Sequence, residues 1–120
     1  MPSAGARSPT GCPASAPLPS LASDHGAAAA TGSTVTVAAD DFFFAPTCIT
    51  EVPAGTITLT VRNATQTLHN VTIESLGVDT DVPGAQAIDV KVRVGSSALP
   101  FVCKYHRTSG MVGVLLPSID

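Results

Sequence analysis

From Thr34 onward the chain runs in short stretches where apolar and polar residues alternate, and a period of two restricts such a chain to β-structure. Val35 and Val37 alternate with threonines. Ile57, Leu59 and Val61 alternate with Thr58, Thr60 and Arg62, and Ile88, Val90, Val92 and Val94 with Asp89, Lys91 and Arg93. Each strand therefore has one face to bury and one to wet. Turns come from Pro53-Ala54-Gly55, Asn63-Ala64, Pro83-Gly84 and Gly95-Ser96-Ser97. No stretch carries a helical period. About seven short strands bury their inner faces only by stacking two sheets, so the expected fold is all-β, a Greek-key β-sandwich over residues 34–120. Phe42, Phe43 and Phe44 belong to its packing, with one of the three forced outward if they lie on a strand.

Residues 1–33 have a different texture, rich in Ala, Pro, Ser and Gly with few large apolar groups. Such a composition does not repay the entropy of ordering, so the segment is expected to be a disordered tether. His25 falls within it and is read as a solvated residue outside any site. The chain has three cysteines, Cys12, Cys48 and Cys103, in unlike contexts, which is not the pattern of a disulfide framework. Cys48 is read as a small buried hydrophobe, although a Cys12–Cys48 bridge stays open in an oxidising compartment. Pro9-Thr10-Gly11-Cys12 partly matches a bacterial lipoprotein processing site, which makes Cys12 a candidate lipid anchor to a membrane. No apolar run reaches the ~18 residues that span a bilayer, and no export signal is visible. With 12% charged residues, a net charge of −3 and no basic stripe, nucleic acid is excluded as a partner.

The chemistry gathers near the end. Phe101-Val102-Cys103-Lys104-Tyr105-His106-Arg107-Thr108-Ser109-Gly110-Met111 puts a thiolate, an imidazole and a thioether on one turn, and His69 stands upstream in Leu68-His69-Asn70-Val71. Phe101 and Cys103 share strand parity, so Cys103 points between the sheets at the strand's end, and Gly110 permits a tight return into a last strand through Leu116. His69 has to arrive from a neighbouring strand at the same end of the sandwich. Each residue type alone is ordinary core or surface material. Together, a thiolate, two imidazoles and a thioether suit a single copper ion in both oxidation states, whereas calcium and magnesium seek oxygen and structural zinc does not call for a thioether. The expected metal ligands are His69, Cys103, His106 and Met111, around one copper ion, Cu(I)/Cu(II).

In order and spacing, these four residues resemble the type 1 (blue) copper signature of the cupredoxin family, plastocyanin and azurin among them. The likeness covers roughly residues 34–120, and Asn70 follows the first histidine as it does in that family. Leu68 before His69 and Arg107 after His106 depart from the pattern, since many members carry proline there. The resemblance implies Cys103 as thiolate, His69 and His106 as equatorial imidazoles, Met111 as a weak axial thioether, and Asn70 as a residue steadying the cysteine loop. Asn70 also opens an Asn-x-Thr sequon, and Asn63-Ala64-Thr65 is a second. The resemblance further implies an extracytoplasmic, monomeric carrier of single electrons, with donor and acceptor proteins docking near His106. Lys104 and Tyr105 would border that surface or serve as edge packing. An enzyme is not expected: the related reductases and oxidases place a histidine before the cysteine, where this chain has Val102, and the dinuclear copper site of respiratory oxidases needs a second cysteine on the loop. A copper storage or delivery protein using the same ligands is the alternative.

Overall fold

The computed structural model describes residues 11–118. Two sheets face each other. The four-stranded one has the order β3-β2-β5-β8, with β2 at Thr34–Asp40, β3 at Phe43–Ala45, β5 at Gly55–Asn63 and β8 at Ala87–Val94. The six-stranded one has the order β1-β4-β10-β9-β6-β7, with β1 at Ala27–Ala29, β4 at Cys48–Val52, β6 at His69–Ile73, β7 at Val78–Val82, β9 at Leu99–Val102 and β10 at Val112–Pro117.

The alternating residues do what their period dictates. Val35, Val37, Ile57, Leu59 and Val61 are buried, and in β8 burial is complete at Val92 and Val94 while Ile88 and Val90 pack at the margin. Strand β5 holds the sheet together, parallel to β2 (Val35 opposite Leu59) and antiparallel to β8 (Leu59 opposite Val90). Phe44 fills the core against Phe101, ring centroids 4.9 Å apart, while Phe42 is the one that turns outward. Phe42 precedes β3, which begins at Phe43, so strand alternation does not govern it; within β3 the half-buried Phe43 and the buried Phe44 do point to opposite sides.

The tether expected over residues 1–33 is not what the described part of that segment forms; residues 1–10 lie outside the described residues. Cys12 is disulfide-bonded to Cys48, Asp24 accepts the Cys12 amide at 2.9 Å, and Ala27–Ala29 pairs in parallel with Cys48–Thr50 on the edge of the six-stranded sheet. Both cysteine expectations change with it. Cys48 is fully buried, as a small hydrophobe would be, yet its sulfur is bonded. Cys12 has its sulfur committed to that bond, which removes it as a lipid anchor. The composition argument failed because it weighed side-chain burial alone. Here a covalent cross-link shrinks the entropy to be overcome, and edge pairing supplies backbone hydrogen bonds that need no large side chains.

His25 is solvated and outside the donor cluster, as expected, though it is not loose. Its ring stacks on Phe43 with centroids 3.5 Å apart and its amide donates to Thr47 Oγ1 at 2.7 Å. Both sequon asparagines are structural. Asn63 is buried, donating to the carbonyls of Thr67 and Val82, and Asn70 is buried with all its amide atoms engaged, so neither presents a side chain for glycan attachment.

Candidate metal centre

His69 begins β6 and Cys103 directly follows β9; the two strands are antiparallel neighbours, which brings an upstream histidine beside a downstream cysteine. After Cys103 the chain makes two tight returns. The His106 amide donates to the Cys103 carbonyl at 3.1 Å, and a 3₁₀ turn over Arg107–Ser109 ends at Gly110, whose φ of +80° is the left-handed conformation glycine adopts without steric cost. Met111 is then pinned from both sides. Its carbonyl accepts the Cys103 amide at 3.0 Å and its amide donates to His106 at 3.4 Å, with the side chain fully buried.

His69, Cys103 and His106 each present a donor atom, and these atoms lie within 4.8 Å of one another. Cys103 Sγ is 3.3 Å from His106 Nδ1, and the two imidazole centroids are 5.1 Å apart. Cys103 is a buried free thiol, His69 is wholly buried, and His106 reaches partly to the surface. Of the four residues expected from sequence, three converge by their donor atoms and Met111 sits buried at the end of the same loop.

One atom shows that the residues fit a metal. Among the described residues, the buried side-chain nitrogen His69 Nδ1 is alone in having no hydrogen-bond partner. Buried polar atoms are nearly always satisfied, because an unpaired one costs roughly 1–3 kcal/mol. An unpartnered nitrogen on an imidazole clustered with a thiol and a second imidazole is instead what a soft or borderline metal ion takes up. Burial lowers the His69 pKa, with the hydrogen bond to Asp41 opposing, so the neutral ring that a ligand must be is favoured.

The loop is clasped from outside. Asn70 Oδ1 accepts the Lys104 amide at 3.3 Å and the Thr72 hydroxyl at 2.6 Å, while its Nδ2 donates to Asp79 at 2.9 Å and Asp81 at 3.0 Å. Asn70 therefore steadies the cysteine loop, as expected. Lys104 pairs with Asp79 at 3.0 Å, the Tyr105 hydroxyl donates to Asp81 at 2.8 Å, and Arg107 pairs with Glu74 at 2.9 Å. The Asn70 amide first, and then Lys104 and Tyr105, hold the Asp79 and Asp81 carboxyls below the ordinary carboxylate range. Arg107 and Tyr105 thus serve the loop's footing on the neighbouring elements. From the other side the Ser23 amide donates to the Gly110 carbonyl at 2.9 Å.

Sequence reasoning missed two residues. Asp41 Oδ1 lies 3.0 Å from His69 Nε2, and the Phe42 ring lies 4.6 Å from the His106 ring and 6.3 Å from the His69 ring. Both follow β2, far from the ligands in sequence, and only the sandwich topology brings them near.

A β-sandwich with a buried thiol and two imidazoles converging at one end has the donor set of a small metal-binding domain. The family model for the cupredoxin-like domain matches residues 15–116, and the chain belongs to that family. Its match begins well inside the segment expected to be a tether. No curated protein sequence matches the chain. Among solved structures, the Cu(I)-containing metal-binding domain of the Cu(I)-exporting P-type ATPase CopA of Streptococcus pneumoniae D39 superposes with TM-score 0.65 at 13% identity, over 78% of this chain and 96% of that one. Dithionite-reduced auracyanin from Roseiflexus castenholzii does so with TM-score 0.63 at 19% identity, over 75% and 100%. Oxidised plastocyanin from Dryopteris crassirhizoma gives TM-score 0.57 at 18% identity, over 69% and 99%. At these identities the likeness is one of fold.

Proposed function

We propose that the protein is an extracytoplasmic type 1 copper protein that carries single electrons between redox partners, with His69, Cys103, His106 and Met111 holding one copper ion. The observation that carries this reading is the approach of one donor atom each from His69, Cys103 and His106 to within 4.8 Å, in a site where His69 Nδ1 is left without a hydrogen-bond partner. Copper bound there would supply a one-electron couple. The protein's part is to keep the donors still. Cys103 offers a thiolate in a dry site, Asn70 fixes the loop through the Lys104 amide, and the Asp79, Asp81 and Glu74 contacts hold Lys104, Tyr105 and Arg107. A ligand shell fixed in this way costs little reorganisation as charge comes and goes, which is what an electron carrier requires.

His106 is the partly exposed member of the set; beside it stands Phe42, 42% exposed, and Leu68, 44% exposed, directly precedes the ligand His69. Donor and acceptor proteins would dock on this apolar ground through the small, short-lived interface usual for redox encounters. The Cys12–Cys48 bridge supports an oxidising, extracytoplasmic location. The role is that of a carrier and not an enzyme, in keeping with Val102 before Cys103.

The test is to load the protein with copper and record its visible spectrum, paramagnetic resonance and voltammogram. The proposal expects an intense thiolate-to-copper absorption, abolished by Cys103→Ser, and one reversible one-electron wave. Tight Cu(I) binding with neither band nor wave would refute electron transfer and favour delivery.

A further inference from the structure

Asp41 has a specific relation to the metal centre. It sits just beyond the end of β2 with its side chain 39% exposed, yet its carboxylate turns inward to His69, whose ring is fully buried. Among the described residues His69 Nε2, at 3.0 Å, is the hydrogen-bond partner of that carboxylate. A carboxylate has only lone pairs to offer, so the nitrogen facing it carries the proton. In a neutral imidazole the other nitrogen then holds the free pair, and that nitrogen is Nδ1, the buried atom without a partner. One contact therefore fixes two things, the tautomer of the ring and the direction in which its lone pair points.

We propose that Asp41 is a positioning residue for the metal centre: it locks His69 with Nε2–H outward and Nδ1 inward, and sets a negative charge one imidazole away from the bound ion. This rests on the copper reading, to which it adds a control on affinity and potential. The two effects are separable. The hydrogen bond needs an acceptor of any charge, whereas the bias toward the higher oxidation state needs the charge itself, since a nearby anion stabilises the more positive ion. The carboxylate's partial exposure tempers the second effect by solvent screening, leaving the first intact.

The test uses the full chain with Asp41→Asn and Asp41→Ala. In metal-free protein, nitrogen-correlated proton NMR of wild type should show a slowly exchanging His69 Nε2–H. Asp41→Asn, whose amide oxygen still accepts, should retain that proton, and Asp41→Ala should lose it to solvent exchange. In copper-loaded protein, competition with a chelator should show affinity weakened about tenfold or more in Asp41→Ala and little changed in Asp41→Asn. The midpoint potential should rise in both variants, because both lose the charge. A protected Nε2 proton surviving in Asp41→Ala would overturn the positioning role, and so would an unchanged potential in both variants. The proton readout requires no copper, so it fails or holds independently of the electron-carrier reading, which the wild-type spectrum and wave decide.

Discussion

Removing the Cys12–Cys48 bridge should cost this domain a large part of its stability. The bond joins positions 36 apart, and a loop of that length, when cross-linked, loses unfolded-state entropy on the order of 4 kcal/mol at 25 °C. For a domain of about 100 residues, each kcal/mol moves the melting temperature by roughly 4 °C, so a fall of roughly 15 °C is expected. The suitable variant is Cys12→Ser with Cys48→Ala, because Cys48 is fully buried and a hydroxyl there would be left unpaired. Thermal unfolding of metal-free protein, followed by circular dichroism, gives the magnitude. Amide hydrogen exchange locates it: Ser23, which donates to Gly110, and Ala30, which donates to Thr50, should lose protection well before the Leu59 region of β5. A melting temperature within about 3 °C of wild type, with Ser23 still protected, would refute the reasoning, since it would mean that other contacts hold residues 11–33 in place.

Met111→Leu should leave copper bound and shift the reduction potential, because the axial thioether tunes it; voltammetry giving an unchanged value would remove Met111 from the ligand set. Gly110→Ala should destabilise by about 2 kcal/mol or more in denaturant titration, since a side chain is disfavoured at φ +80° and its Cβ would strike the Leu21 carbonyl; equal stability would show that the loop and the 21–23 segment do not meet as described. Asp79 and Asp81 have folded-state pKa values below their unfolded ones, so their contribution is complete above the ordinary carboxylate pKa and fades as pH falls through the depressed folded values. Denaturant midpoints of wild type should therefore drop at acid pH more steeply than those of Asp79→Asn/Asp81→Asn, and parallel profiles would contradict the Asn70 clasp.

The parts legible in sequence were those written in local pattern. Alternation at Val35–Val37, Ile57–Val61 and Ile88–Val94 told which faces are buried, and the Cys103, His106, Met111 spacing told that one loop carries several donors. Ala27–Ala29 gave no such signal: three alanines have neither alternation nor β-propensity, and their strand exists because an adjacent edge was open and a cross-link held them near it. Cysteine pairing is likewise set by distance in the fold, which spacing along the chain does not encode. Asp41 was invisible for the same reason, standing 28 positions from His69 and joined to it only by the packing of one sheet on the other.

The stretch from Cys12 to Gly26 has a practical bearing on how this protein is cut and fused. A fragment begun at Thr34, where the alternating pattern starts, would carry an unpaired sulfhydryl at Cys48 in place of the bridge, uncover the flank of β4, and take away the Ser23 backing of Gly110. Such a fragment holds every donor yet would be prone to dimerise through the new thiol and to scramble with Cys103. Shortened versions should therefore begin at or before Gly11.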